Sequence, residues 1–175
     1  MNAPCNPGQL PPPRSYPAAR YNTTPTWNGS FVALDYTTCA LPWTLNATQL
    51  IRHYGALLRD QARATYQPSR NSPQIDGDML FFGTQAHALV LAVNRHSGAV
   101  LDMLRINSHP FAVITISPTI YLPGHPLRQN LQLRGGRPLF FPDYQCYTFT
   151  GNAAALTFSL RRCKLILRWS IGEVK

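Results

Sequence analysis

A chain of 175 residues, of which 45% are hydrophobic, is long enough to bury one complete core, so wholesale disorder is excluded. Only 13% of the residues are charged, and the 7 carboxylates show no spacing that acid–base catalysis or metal binding would need. The net charge of +9 favours nonspecific contact with an anionic partner, either nucleic acid or anionic lipid. We therefore expect no catalytic residues, no metal ligands, no cofactors and no small-molecule substrate.

Residues 1–29 are predicted to form a proline-rich N-terminal arm, because they hold seven prolines and no apolar periodicity. An arm with aromatic side chains is expected to lie along the domain or across a neighbouring subunit, although a disordered leader is the alternative. The residues expected to make this assembly arm are Pro11, Pro12, Pro13, Tyr16, Tyr21 and Trp27.

Residues 30–175 are predicted to form a single β-sandwich domain with one early α-helix. A first strand is expected at 31–39, and the helix at about 46–64. Asn46 and Gln49 have the spacing of a capping box at its start. The apolar stripe of this helix consists of Leu50, Ile51, Tyr54, Leu57 and Leu58.

A loop is predicted at 67–77, and short strands separated by Pro, Gly and Asn are predicted after it. Three of them are expected at 79–82, 86–94 and 99–106, with Gly98 free to take a positive φ in the turn before the last. In the final fifty residues the apolar positions of a long strand change parity near Arg161-Arg162, which requires a bulge, a turn or a change of covering layer. About eight strands in an antiparallel arrangement predict a sandwich or jelly roll.

The cations are predicted to provide charge-assisted contacts rather than a base-reading site, since no nucleic-acid motif is present. These basic contacts are Arg52, Arg59, Arg63, Arg161, Arg162, Lys164 and Arg168. Four cysteines allow three pairings. Buried free thiols are the favoured state, and Cys5 with Cys39 is the candidate disulfide.

Catalysis would need histidine and aspartate side chains that converge in one cleft. The sequence places none of the candidate carboxylates beside a candidate histidine: the carboxylates are Asp76, Asp78 and Asp102, and the histidines are His87, His96 and His109. Asp76-Gly77-Asp78 is interpreted as a turn.

The arm, the early helix and the run of short strands resemble small viral coat proteins of the single jelly-roll type, over about residues 30–172. The resemblance implies a structural virion protein: a self-assembling capsid subunit that forms homo-oligomers and contacts other capsid subunits laterally. Its basic face would lie toward genome or membrane. A non-enzymatic β-sandwich binding module, such as a receptor- or glycan-binding domain of a spike, tail or secreted protein, is the alternative.

Localisation in the virion, after synthesis in host cytoplasm, follows from the same resemblance. The N-terminus shows no signal-peptide pattern. The longest apolar run, 88–93, is too short for a transmembrane segment.

Overall fold

The computed structural model describes residues 21–55, 68–109, 112–120, 127–129 and 153–171, which form ten strands and one helix. Every pairing among these strands is antiparallel, so the predicted mainly β, antiparallel class is confirmed. The elements are β1 (Tyr21–Pro25), β2 (Phe31–Asp35), β3 (Trp43–Leu45), α1 (Ala47–Tyr54), β4 (Gln74–Asp76), β5 (Met79–Gly83), β6 (Leu89–Asn94), β7 (Val100–Arg105), β8 (Leu127–Gln129), β9 (Ala153–Ser159) and β10 (Lys164–Ile171).

The strands form three sheets, and in each sheet the spatial order follows the order in the chain. Sheet 1 contains β1, β2 and β3, sheet 2 contains β4 to β7, and sheet 3 contains β8, β9 and β10. A jelly roll joins strands by Greek-key connections, which place strands distant in the chain side by side. The described strands follow local meanders instead, so the jelly roll is not confirmed.

Sheet 2 is the middle layer, because its side chains alternate between two separate hydrophobic clusters. Leu80 and Phe82 point into a cluster with sheet 1 and α1, where Phe82 stacks on Phe31 at a ring separation of 4.1 Å. Phe81, between them in sequence, points into the cluster with sheet 3, where its ring meets Phe158 edge-on. The described core therefore lies in two seams of a three-layer stack, rather than in the single seam of a two-sheet sandwich.

Trp43 ties sheet 1 to the turn between β6 and β7 in sheet 2. Its indole Nε1 donates a hydrogen bond of 2.8 Å to the carbonyl oxygen of Arg95, and the residue is only 7% exposed. Its ring lies against Gly98, where a Cβ atom would stand 2.7 Å from the indole Cε3. Gly98 has the positive φ that the sequence predicted, 72°. The turn therefore needs glycine for its conformation and for the close approach of the ring.

Asp102 ties sheet 2 to sheet 3 in a different way. Its carboxylate Oδ2 accepts a hydrogen bond of 2.6 Å from the backbone N–H of Leu165 in β10. The carboxylate is part-buried, so it satisfies a donor that would otherwise lose its water partner at the seam.

Helix α1 begins where the sequence predicts and ends earlier. The Asn46 side chain accepts a hydrogen bond of 2.8 Å from the N–H of Gln49, which confirms the N-cap. The prediction of one helix to residue 64 is wrong at Gly55, which has extended backbone with φ −175° and ψ 162°. Glycine is a weak helix former, and His87 packs within 3.3 Å of the Gly55 Cβ position. Residues 56–64 lie outside the described part of the chain.

The boundary of the N-terminal arm also needs correction. Residues 21–25 are strand β1, paired with β2 along its whole length, and the Thr23 side chain is buried. The arm predicted for residues 1–29 therefore ends inside the domain, because local composition does not register pairing with a later strand. Strands β3 and β4 were not expected either: both are only three residues long, and β4 lies in the predicted loop.

We expect Gly98→Ala to destabilise the protein by about 2–4 kcal/mol, because it adds both a strained φ and a clash with the Trp43 ring. Gly77→Ala is the matched control, since Gly77 also has a positive φ, 55°, but has nothing within 4 Å of its Cβ position. Gly77→Ala should cost only about 1 kcal/mol. Chemical denaturation measures both, and equal losses would show that the Trp43 contact contributes nothing.

We also expect Asp102→Ala to lower stability by about 1–3 kcal/mol, because it leaves the Leu165 N–H unpaired at the seam. Asp102→Asn keeps an acceptor oxygen and should cost less. Hydrogen exchange at the Leu165 amide gives the local readout, and it should accelerate in the alanine variant. If both variants lose the same stability, the carboxylate acts by charge and not as a hydrogen-bond acceptor.

Candidate interaction surfaces

The hairpins β2–β3, β6–β7 and β9–β10 share a turn that places one residue in the left-handed region. These residues are Cys39 (φ 58°), Gly98 (φ 72°) and Cys163 (φ 45°), each four positions after the last residue of the preceding strand. In the first two turns the N–H of the left-handed residue donates to the carbonyl of that last strand residue, at 2.8 and 2.9 Å. The described chain therefore contains a structural repeat, one hairpin in each sheet.

The repeat identifies three positions at which sheets 2 and 3 receive the sheet that precedes them. We call them receiving positions. Two lie in the first strand of each hairpin, three residues and one residue before its last residue. The third lies two residues after the left-handed residue of the turn. In sheet 2 they are Leu91, Val93 and Val100, which pack in the seam with sheet 1. In sheet 3 they are Leu156, Phe158 and Leu165, which pack in the seam with sheet 2.

Sheet 1 carries apolar residues at the same three positions, and no described sheet precedes it. We call this surface the outer face of sheet 1: Val32, Leu34 and Leu41. Leu41 is 57% exposed, whereas its equivalent in sheet 3, Leu165, is 5% exposed. Val32 and Leu34 are half-buried. An apolar triad that is buried twice within the stack is therefore uncovered, among the described residues, at its first sheet.

The neighbours of this face carry little charge. Register places Thr24 and Thr44 on either side of Val32, and Asn22 beside Leu34. Asp35 is the one charged residue within the sequence of β1 to β3. The pKa of Asp35 is held below its usual value by two hydrogen bonds from Thr37. The larger effect comes from the Thr37 hydroxyl, at 2.6 Å, and the smaller from its N–H, at 2.9 Å. Covering this face would therefore remove few charges from water.

A second set of positions lies on the face of each sheet opposite its receiving positions. We call these presenting positions, and each is a cross-strand pair: Ala33 with Trp43, Ala92 with Asp102, and Thr157 with Ile166. Trp43 and Asp102 are each four residues after the left-handed residue of their turn, whereas Ile166 is three residues after Cys163. The first two pairs contain the residues that tie the sheets together. Thr157 and Ile166, together with Arg168, form what we call the outer face of sheet 3, where the Arg168 Nε donates to the Thr157 hydroxyl at 3.0 Å.

The predicted basic residues fall into two separate places. Arg161, Arg162, Lys164 and Arg168 are all exposed and come together in the β9–β10 hairpin. Of the alternatives left open at Arg161-Arg162, the structure shows a turn, because β9 ends at Ser159 and β10 begins at Lys164. Arg52 is exposed on α1, which packs on the opposite face of sheet 2 from sheet 3. Arg59 and Arg63 lie outside the described residues.

The assembly-arm residues are only partly covered by the structure. Tyr21 lies in β1, and Trp27 is 72% exposed in the β1–β2 turn. The other arm residues, Pro11, Pro12, Pro13 and Tyr16, lie outside the described part of the chain.

The cysteine predictions need correction. Cys39 has a free, exposed thiol at the tip of the β2–β3 turn, so the candidate disulfide between Cys5 and Cys39 is not formed. Cys5 itself lies outside the described residues. Cys163 is disulfide-bonded rather than a buried free thiol, and Cys39 is not its partner. Spacing in the sequence cannot show which cysteines the fold brings together.

One acid–histidine pair exists that the sequence did not indicate. Asp78 Oδ1 lies 2.9 Å from His96 Nε2, because pairing of Met79 with Asn94 brings the β4–β5 and β6–β7 turns to one end of sheet 2. The Arg95 Nε also lies 3.3 Å from the same His96 nitrogen.

Elsewhere, burial lowers the pKa of His109. Across the described ranges, no three side chains of His, Cys, Asp or Glu cluster as metal ligands would.

A polar groove of about 500 Å³ lies between β1 and the segment 70–75. Arg70 is its charged lining residue, and Asn22, Thr24 and Ser72 add polar groups.

Within the part of the chain that the structure describes, no helix is long and apolar enough to span a bilayer.

No protein-family model and no curated protein matches the chain. Among solved structures, it is similar to a europium-containing methanol dehydrogenase, with a TM-score of 0.53 and 16% identity over 87% of this chain and 22% of that one. It is equally similar to a quinohemoprotein alcohol dehydrogenase from Pseudomonas putida HK5, with a TM-score of 0.53 and 16% identity over 87% of this chain and 19% of that one. Neither is a viral coat protein.

The chain thus spans about a fifth of the length of each dehydrogenase. At 16% identity, the likeness shows the fold alone. Consecutive meander sheets stacked face to face, as found here, are the arrangement of neighbouring blades in a β-propeller.

Proposed function

We propose that this chain is a self-associating structural module, in which the outer face of sheet 1 binds a sheet of a second copy. The exposure of Leu41 carries the proposal. Its equivalents Val100 and Leu165 both pack in a seam, so the position is one that this fold uses for sheet-to-sheet contact. Isolated exposed leucines are common, but among the described sheets this repeated contact position is exposed on the first one, which supports a further layer that packs against it.

The energetics favour covering this face. Removing a leucine side chain fully from water stabilises by about 1.5–3 kcal/mol, and Val32 and Leu34 add to that. The neighbouring Asn22, Thr24 and Thr44 carry no charge, so association pays no ion desolvation at these positions. Stacked repeats whose terminal faces are apolar need a further repeat or a cap for the same reason.

The proposal keeps part of the function expected from the sequence, which is association through protein–protein contacts. The surface that makes the contact is a sheet face rather than a proline-rich arm. A place in a virion, and a basic face toward genome or membrane, stay predictions.

A second candidate function is a role as one sector of an oxidoreductase, which the likeness to two alcohol-oxidising proteins supports. The described residues do not fit a metal site, because no three potential ligands lie together. We derive no catalytic step from them. Oxidation of methanol or ethanol with an artificial electron acceptor tests this candidate, and turnover by the purified chain would favour it over a structural role.

Leu41→Lys tests the proposed function, and Tyr54→Lys is its control. Leu41 is 57% exposed on the outer face of sheet 1, whereas Tyr54 is 41% exposed on α1 and belongs to neither outer face. We expect the wild type and Tyr54→Lys to self-associate in sedimentation experiments. Leu41→Lys should weaken association by at least about tenfold, the equivalent of roughly 1.4 kcal/mol.

The free thiol of Cys39 reports on the same face, because it lies two residues before Leu41. We expect its alkylation, followed by peptide mass spectrometry, to slow as protein concentration rises. Alkylation that does not depend on concentration, or equal behaviour of the two lysine variants, would overturn the proposal.

A further inference from the structure

We infer that association is head-to-tail: the outer face of sheet 1 in one copy receives the outer face of sheet 3 in the next. This inference rests on the proposed function and names the partner surface. Within the chain, receiving positions always meet presenting positions: sheet 2 receives sheet 1, and sheet 3 receives sheet 2. Among the described strands, the two ends of the stack carry one face of each kind, which a second copy can join.

The size of the turn residue supports this pairing. Where the turn carries Gly98, the presenting residue is the large Trp43, and a Cβ at Gly98 would clash with its ring. Where the turn carries Cys163, the presenting residue is the much smaller Asp102, which bonds Leu165 two positions further on. Sheet 1 has Cys39 at this position, so it cannot accept a tryptophan in the way Gly98 does. Ile166 of sheet 3 is smaller than tryptophan and suits a cysteine turn.

Charge distinguishes head-to-tail contact from the two symmetric alternatives. Sheet 3 exposes four cations on β10 and its preceding turn, listed above as Arg161, Arg162, Lys164 and Arg168. Two sheet 3 faces would bring these groups together, and like charges repel. Two sheet 1 faces would bring together two Asp35 carboxylates, and each copy also has a cation beside this face, Arg70, which lines a groove with Asn22 and Thr24. Repulsion therefore disfavours contact between two sheet 3 faces more than contact between two sheet 1 faces. Head-to-tail contact places the four cations of sheet 3 beside sheet 1, in which Asp35 is the one charged residue of the segment from β1 to β3.

Such an interface is heterologous, because each copy uses two different surfaces. Repeated head-to-tail contact gives a closed ring if the rotation between copies closes, and an open filament if it does not. Growth of the assembly therefore requires both faces on every copy.

Complementary variants test the polarity directly. Leu41→Lys blocks the receiving face and leaves sheet 3 intact, whereas Ile166→Lys blocks the presenting face and leaves sheet 1 intact. Each variant alone should stay monomeric. An equal mixture should form a one-to-one dimer that stops there, with Cys39 protected only in the Ile166→Lys copy. Sedimentation and isotope-labelled alkylation measure these two outcomes.

Because Ile166 is half-buried, Arg168→Glu serves as a second presenting-face variant with an exposed side chain. It should fold normally, weaken association alone by about tenfold, and pair with Leu41→Lys as Ile166→Lys does. If the presenting-face variants dimerise on their own, the contact is symmetric between two sheet 1 faces. That result overturns the head-to-tail inference but leaves the proposed function standing. If the wild type shows no concentration-dependent protection of Cys39, both fall.

Discussion

The contact of the Trp43 ring with the Gly98 turn is the constraint on which the described fold depends. It closes the seam between sheets 1 and 2, because the indole covers a turn that no Cβ obstructs and donates its N–H to the Arg95 carbonyl. The contact joins residues more than fifty positions apart and fixes how the first hairpin lies on the second. Around it, Phe31 and Phe82 stack, and Ile51 of α1 completes the cluster.

The seam between sheets 2 and 3 uses the same layout with different chemistry. Asp102 stands in the presenting position that Trp43 occupies in sheet 1, and a carboxylate replaces an aromatic ring. The turn that it approaches carries Cys163 instead of glycine, and the tie is a hydrogen bond to backbone. One backbone repeat therefore supports two kinds of contact, because the left-handed turn sets the geometry and the side chains set the chemistry.

The low content of charged residues is distributed unevenly between the two ends of the described stack. Because only 13% of the residues are charged, few ion pairs can form across any interface of this chain. Here the two ends of the stack differ in kind: one is apolar and nearly uncharged, and the other carries a cluster of arginines. In the association proposed above, this difference would disfavour contact between two cationic ends, because like charges repel.

Local sequence patterns alone indicated the antiparallel β class, the N-cap of α1, the positive φ at Gly98 and the change of parity near Arg161-Arg162, because each depends on neighbours a few positions apart. Periodicity also placed β5, β6 and β7 correctly. It missed β1 and β3, which pair only with β2 among the described strands, and it extended α1 past Gly55, where the backbone is extended. Only the tertiary structure decided that the sheets form three layers, that Asp78 meets His96, and that Leu41 is the uncovered member of a repeated triad. Those properties depend on which distant segments pack together, and local sequence patterns carry no record of that choice.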